Sequence, residues 1–360
     1  MNVVLVIASL GVGGTEQKVI RLANYFAAQG KDVEVLSLSL NNSQKEKLNS
    51  EVKLTIIDTN SNIKARFSAK KRVFSYLKKQ QASAAITPAI FYFNYYPALF
   101  VSSKLIKQVV FINTTHLLRF ISKVKQKMAI KKMKFANAVV MGNSELAEEF
   151  KRFNQLKNTR IEVLQNGIDT NYPVKKCYQV NDVFKLVVVA RLRPEKRHAD
   201  IFKAVKILLD KGFKIELDCI GSQVLDGQEE QLKHIVNNLS LQKHVNFLGE
   251  KNNVRQLLPN YDAFVLPSND TFSNALLEAM AAGLPVIGAD IGGSPEIISH
   301  NIDGFLYEYT NAIDLSIKLE QLILSQPIRE EIGSNAICKI NERFSSFVMY
   351  NKYASYADEK

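Results

Sequence analysis

The sequence predicts an α/β fold of two parallel-sheet domains. Short β-branched runs alternate with amphipathic segments along the chain, the pattern of repeated βαβ units. A polar, proline-containing stretch, TNYPVKKCYQVND from Thr170 to Asp182, interrupts the alternation, and a second series begins directly after it. The length of 360 residues also exceeds what one core usually serves, because single cores stop growing at about 250 to 300 residues. The expected division is residues 1–170, residues 171–340 and a terminal segment, 341–360.

In the first domain NVVLVIA (Asn2 to Ala8), DVEVLSLSL (Asp32 to Leu40) and KQVVFIN (Lys107 to Asn113) read as buried strands. Between the first two, Val19, Leu22 and Phe26 recur at helical spacing and Gly30 supplies a left-handed stop, so this segment reads as a helix. Strand, helix and strand form a βαβ unit with parallel strands. The second series comprises FKLVVVARL (Phe184 to Leu192), KIELDCIG (Lys214 to Gly221), HVNFLGE (His244 to Glu250), DAFVLPS (Asp262 to Ser268) and PVIGAD (Pro285 to Asp290), with helical segments between them. Ligands of such sheets lie beyond the carboxyl ends of the strands, so the expected site is a crevice between the two domains.

Composition narrows the partners. No apolar run approaches the roughly 18 to 20 residues of a membrane span. The opening MNVVLVIASL lacks a basic leader and runs into a glycine turn, so it reads as a strand rather than a signal peptide. Cys177, Cys219 and Cys338 are far apart and in no metal spacing, which fits a reduced, cytoplasmic compartment. Five scattered histidines offer no ligand pair, and no protein-bound metal is expected.

The net charge of +12 is unevenly placed, because Ser61 to Ser144 holds sixteen Lys or Arg and no Asp or Glu. A polyanionic partner near that region follows, either nucleic acid or anionic lipid. Within the window Leu117, Ile121, Val124 and Met128 recur at four-three-four spacing, and Lys123, Lys127, Lys131 and Lys134 line another face. A basic membrane-facing helix and a solvated helix packed on its domain both fit that pattern. No RNA-binding signature accompanies the charge, so nucleic acid is not expected as a partner.

Three constellations carry chemistry. Gly11, Gly13 and Gly14 lie between the first strand and its helix, where backbone N–H groups can face a phosphate, although a tight turn alone also calls for glycine. The third glycine of a nicotinamide fingerprint is replaced by Glu16, and the next strand ends without an acid. In ARLRPEK, Arg191 ends a strand and Lys196 follows five residues later, a fork and a point charge suited to two phosphates. In SNDTFSNALLEAMAAGLPVIGADIGGSPEII, Asp270 and Glu278 stand eight residues apart, one before and one within a helix read over Phe272 to Ala282. That helix is expected to present N–H groups of Ser273, Asn274, Ala275 and Leu276 to anionic oxygen. Gly292 and Gly293 open a further helix ahead of Glu296.

Taken together, GVGGTE, TTH, QNGID, ARLRPEK, LLEAMAAGLPVIGADIGGSPEII and NIDGFL resemble the retaining nucleotide-sugar glycosyltransferases of the family 4 type, across essentially the whole chain. The resemblance implies the GT-B fold: two facing Rossmann-like domains, a donor crevice between them and a C-terminal helix crossing back to the first. It implies that Asp270 faces the donor sugar and Glu278 the ribose hydroxyls, where the family usually has two glutamates. It places Arg191 and Lys196 on the diphosphate, His116 near the reacting carbon, and Gly13, Gly14, Asn166 and Phe272 among the donor-binding residues. The activity implied is hexosyl transfer with retention, without metal or cofactor, from a nucleoside diphosphate sugar, a UDP-sugar foremost, to a glycan or lipid-linked acceptor. Surface polysaccharide or lipopolysaccharide synthesis at the inner face of the cell membrane is the implied setting, with the basic window making the peripheral contact. The shorter Asp270 leaves a second reading open, a non-catalytic relative that binds a nucleotide sugar or a partner. The sequence leaves the oligomeric state open.

Overall fold

The computed structural model describes residues 2–11, 14–58, 72–73, 75–76, 84–88, 107–112, 130, 133, 136–153, 156–157, 159–171, 173–223, 227–270 and 272–358. The chain divides into two compact units, one formed by Met1–Gln165 together with Met349–Lys360, the other by Asn166–Val348.

Among the described residues the first unit has seven parallel strands: β1 (Asn2–Ile7), β2 (Asp32–Ser37), β3 (Lys53–Ile56), β4 (Ala84–Pro88), β5 (Lys107–Ile112), β6 (Ala138–Met141) and β7 (Arg160–Val163). Their order is β3-β2-β1-β4-β5-β6-β7. Helix α1 (Gly14–Ala28) links β1 to β2, and α2 (Ser144–Lys151) links β6 to β7. Asn143 caps α2 by accepting the Leu146 N–H at 3.0 Å. Alternation along β1 sends Val4 and Val6 to one face, with Leu146 and Phe150 of α2. Val3, Leu5 and Ile7 go to the other face, with Val19, Leu22 and Phe26 of α1.

Four of these strands escape a periodicity reading. β3 and β7 are four-residue edge strands with charged, partly exposed positions, β6 is a four-residue buried run, and β4 ends in proline.

Among the described residues the second unit carries six parallel strands: β8 (Phe184–Val189), β9 (Ile215–Ile220), β10 (Val245–Gly249), β11 (Ala263–Leu266), β12 (Val286–Ala289) and β13 (Phe305–Tyr307), in the order β10-β9-β8-β11-β12-β13. Its helices are α3 (His198–Asp210), α4 (Gln228–Asn238), α5 (Val254–Leu257), α6 (Asn274–Ala281), α7 (Ser294–Ile297), α8 (Ala312–Leu324) and α9 (Gln326–Arg343). β11 and β12 are buried at every position, as strands covered on both faces must be. Lys175 ties the unit's entry segment to Asp262 at 3.4 Å and to the Tyr261 carbonyl at 2.6 Å.

The chain ends in α10 (Ser346–Asp358), whose residues from Met349 onward belong to the first unit. Met349, Tyr350, Tyr353 and Tyr356 pack into the same cluster as α1 and the β1 face. The Tyr356 hydroxyl donates to the Glu162 carboxylate on β7, and Tyr25 Oη donates to Asn351 Oδ1 at 2.5 Å. Among the described residues no helix is long and apolar enough to cross a membrane.

Because the Tyr353 side chain is fully buried, Tyr353→Ala should cost about 3 to 5 kcal/mol in chemical denaturation. Exposed Lys352→Ala on the same helix should stay within about 0.5 kcal/mol. Equal, small effects from both would mean that α10 contributes little to the first unit's core.

Candidate functional site

The site of the second unit follows from where its strand order reverses. β8 and β11 are neighbours, paired through Ala263 with Leu186 and Phe264 with Val187. The chain leaves β8 towards β9 and leaves β11 towards β12, on opposite sides, so the loops after them diverge and open a cleft. Gly221, after β9, runs so close to β8 that an added Cβ would lie 2.1 Å from the Ala190 carbonyl oxygen.

The loop after β8 carries Arg191, which is exposed and makes no side-chain hydrogen bond or ion pair among the described residues. A 3-10 turn over Pro194–Lys196 follows, and Arg197 then takes a left-handed conformation, φ 53°. That conformation disfavours a residue with a Cβ by about 1 kcal/mol or more. A two-point contact offsets it: Arg197 donates to both carboxylate oxygens of Asp200, at 2.5 and 3.1 Å, and its guanidinium lies 5.2 Å from the Tyr309 ring centre. This lock holds the turn that presents Lys196.

The loop after β11 carries Asp270. Lys196 Nζ donates to Asp270 Oδ1 at 2.5 Å and Ser268 Oγ donates to Oδ2 at 3.2 Å. The Asp270 carbonyl accepts the Gly293 N–H at 2.7 Å, and a Cβ on Gly292 would meet that same carbonyl at 2.6 Å. The glycine pair after β12 therefore serves as a backbone clamp on Asp270.

Helix α6 begins at Asn274, with Ser273 as its N-cap. This corrects the expectation of N–H groups open from Ser273 to Leu276: Ser273 Oγ accepts the Leu276 N–H at 3.3 Å, and the Leu276 side chain is buried in the core. The amides of Asn274 and Ala275 have no hydrogen-bond partner among the described residues. Asn166 Nδ2 reaches Asn274 Oδ1 at 3.4 Å, which brings the Asn166 segment beside the helix start. Phe272 packs on the Phe344 ring, centroids 5.8 Å apart. One turn into α6, Glu278 shares a face with Asn274, and its Oε1 accepts from Arg255 Nη2 at 3.2 Å.

The second unit thus assembles Asn166, Arg191, Lys196, Asp270, Phe272, Ser273, Asn274, Ala275 and Glu278 around the ends of β8 and β11. Gly14 opens α1 in the first unit. Gly13, His116, Lys123, Lys127, Lys131 and Lys134 lie outside the described residues. Sequence reasoning missed Arg255, Arg197 and Asp200. The Arg197 and Asp200 pair could have been found as oppositely charged residues three apart at a helix start.

His198, the first residue of α3, is 1% exposed and has no hydrogen-bond partner on either ring nitrogen among the described residues. Burial, and then the nearby Lys196 charge, lowers its pKa from 6.5 to about 4. The unfolded chain takes up a proton as pH falls through 6.5, whereas the folded ring stays neutral until about 4. Stability from this group is complete above pH 6.5 and should fall by about 3 kcal/mol on acidification to pH 4. His198→Leu should flatten that part of the stability profile, and an unchanged slope would show that the ring accepts a proton without penalty. Asp200→Ala should cost about 1.5 to 3 kcal/mol by releasing Arg197 from its charged partner, measured by denaturation.

Comparison with known proteins places this geometry. The family described as glycosyl transferases group 1 matches residues 174–338, and glycosyltransferase family 4 matches residues 12–172. The N-acetyl-alpha-D-glucosaminyl L-malate synthase of Bacillus anthracis is 31% identical over 207 residues, 54% of this chain and 53% of that protein. The capsular polysaccharide biosynthesis glycosyltransferase CapM of Staphylococcus aureus is 25% identical over 233 residues, 61% of each chain. The chain thus spans about half to three fifths of the length of these curated relatives. Anabaena HepE, solved in complex with UDP, shares the fold with a TM-score of 0.79 and 18% identity over 99% of this chain and 100% of that one. With one family matching each half, the chain belongs to the family 4 glycosyltransferases and has their GT-B fold of two Rossmann-like domains.

Proposed function

We propose that the protein is a retaining, metal-independent glycosyltransferase that moves a sugar from a nucleoside diphosphate sugar to a glycan or lipid-linked acceptor in surface polysaccharide or lipopolysaccharide synthesis. The observation that carries this reading is the Lys196–Asp270 ion pair that joins the loops after β8 and β11, with Arg191 in the same loop as Lys196 and Glu278 on the helix that follows Asp270. A UDP-sugar is the proposed donor, in keeping with the UDP held by Anabaena HepE.

Each residue has a task that its chemistry supports. Arg191 and Lys196 receive the diphosphate, aided by the Asn274 and Ala275 amides, and stabilise the negative charge as it leaves. These fixed cations supply charge that a divalent ion would otherwise bring. The Asp270 and Glu278 carboxylates accept hydrogen bonds from hydroxyls of the sugar and of the ribose. The bond from the anomeric carbon to the β-phosphate oxygen breaks, and the acceptor oxygen bonds to that carbon from the same face. The acceptor proton passes to the departing phosphate. His116 is proposed beside the reacting carbon and Gly13 and Gly14 beside the donor. The basic stretch with Lys123, Lys127, Lys131 and Lys134 is proposed to hold the protein at the anionic inner face of the cell membrane, at about 1 kcal/mol per well-placed cation.

The test is nucleoside diphosphate release from UDP-, GDP- and ADP-sugars with a bacterial lipid extract as acceptor. Release from one donor, lost in Glu278→Ala and lowered about a hundredfold in Lys196→Ala, is expected. Tight nucleotide-sugar binding with no release from any donor would instead favour a non-catalytic relative. Replacing Lys123, Lys127, Lys131 and Lys134 together with Gln should release the protein from anionic vesicles while leaving donor binding intact. Undiminished vesicle binding would make the basic face a solvated one.

A further inference from the structure

Glu278 differs from Asp270 in how the protein holds it. The Asp270 carboxylate is engaged at both oxygens, one of them by Lys196, itself a candidate for the diphosphate. Glu278 is held at one oxygen alone: Oε1 takes the Arg255 guanidinium at 3.2 Å, and Oε2 has no partner among the described residues. Arg255 comes from a separate element, α5, which follows β10. Val254 and Leu257 on either side of it pack into the apolar cluster that also holds Leu276, Leu277 and Met280 of α6. Both partners are recessed without being sealed, with side chains 31% and 21% exposed. The result is a fixed cation on one side of a carboxylate whose other oxygen is open.

We propose that Arg255 is a positioning residue that holds Glu278 against the ribose diol and so sets a preference for ribonucleotide over 2′-deoxyribonucleotide donors. The proposal rests on the ribose role given to Glu278 above. A glutamate on a helix surface samples several rotamers, and a carboxylate free to swing can follow whichever hydroxyl remains when one is removed. A carboxylate pinned at Oε1 has a fixed plane, so the loss of one hydroxyl leaves a lone pair unmatched. Arg suits this task because its guanidinium is planar and stays charged. Lys in its place would keep the charge and lose the plane.

The experiment measures binding of UDP, GDP and ADP to the full chain by calorimetry, then compares the tightest binder with its 2′-deoxy counterpart. Wild type, Arg255→Gln, Arg255→Lys and Glu278→Gln are measured, with melting temperatures and donor turnover alongside. Wild type should prefer the ribonucleotide by about tenfold or more, the scale of one lost charged hydrogen bond. Arg255→Gln should lower that preference to within about threefold and raise donor KM about tenfold with kcat little changed, the signature of lost uniform binding. Arg255→Lys should recover part of the preference. Survival of the full preference in Arg255→Gln alongside its loss in Glu278→Gln overturns the role of Arg255 alone. A wild type that binds both nucleotides equally, or a Glu278→Gln variant that keeps the preference, overturns the ribose assignment and the proposal with it. A lowered melting temperature in Arg255→Gln with no recovery of preference in Arg255→Lys overturns it in favour of a purely structural ion pair.

Discussion

Parallel strands cannot be joined by a tight turn, and the geometry of the second unit follows from that constraint. Each of its strands runs in the same direction, so every chain exit lies at one end of the sheet and every return passes through a crossover. Residues far apart in sequence therefore meet at that end, Lys196 with Asp270 and Arg255 with Glu278. The reversal between β8 and β11 decides which of these exits flank a cleft. Close approaches then tighten the geometry: Gly221 against Ala190, and Gly292 with Gly293 against Asp270.

The charges at this end are arranged unequally, and the inequality suits the proposed chemistry. Arg191 is unengaged among the described residues and follows the strand end, while Lys196 is committed to Asp270 until something displaces it. In the proposed reaction, a diphosphate arriving there would meet a ready fork and a lysine that must change partner. The sugar hydroxyls that approach Asp270 would replace the contact it loses, so the exchange conserves the number of strong hydrogen bonds rather than creating unpaired charge.

Much of this was legible in the sequence because it rests on spacing. Two acids eight residues apart across a helix start, and two cations five apart after a strand, define their elements without long-range information. The cap at Ser273 was not legible as such, since a serine side chain and an incoming ligand compete for the same amide. Arg197 gave no signal of its left-handed backbone, because arginine has no propensity for it and the contacts with Asp200 and Tyr309 that offset it are visible only in the fold. Arg255 was hidden for a different reason: a single charge in a four-residue helix acquires meaning only through the element packed beside it. The edge strands β3 and β7 fail by periodicity because one side of each faces no neighbour among the described strands, which relaxes the demand for apolar residues.

The return of α10 to the first unit has a consequence for biosynthesis. The second unit is a single uninterrupted stretch, whereas the first is completed only by residues from Met349 onward. During translation the β1 to β7 sheet emerges early but lacks Met349, Tyr350, Tyr353 and Tyr356, the aromatic and thioether side chains that close one of its faces. That face stays incompletely covered until Met349 to Tyr356 have been made, a period in which the nascent sheet is a natural client for chaperones. The second unit, by contrast, is complete by Val348, before Met349 and the residues after it are added to the first, so the order of completion reverses the order of synthesis.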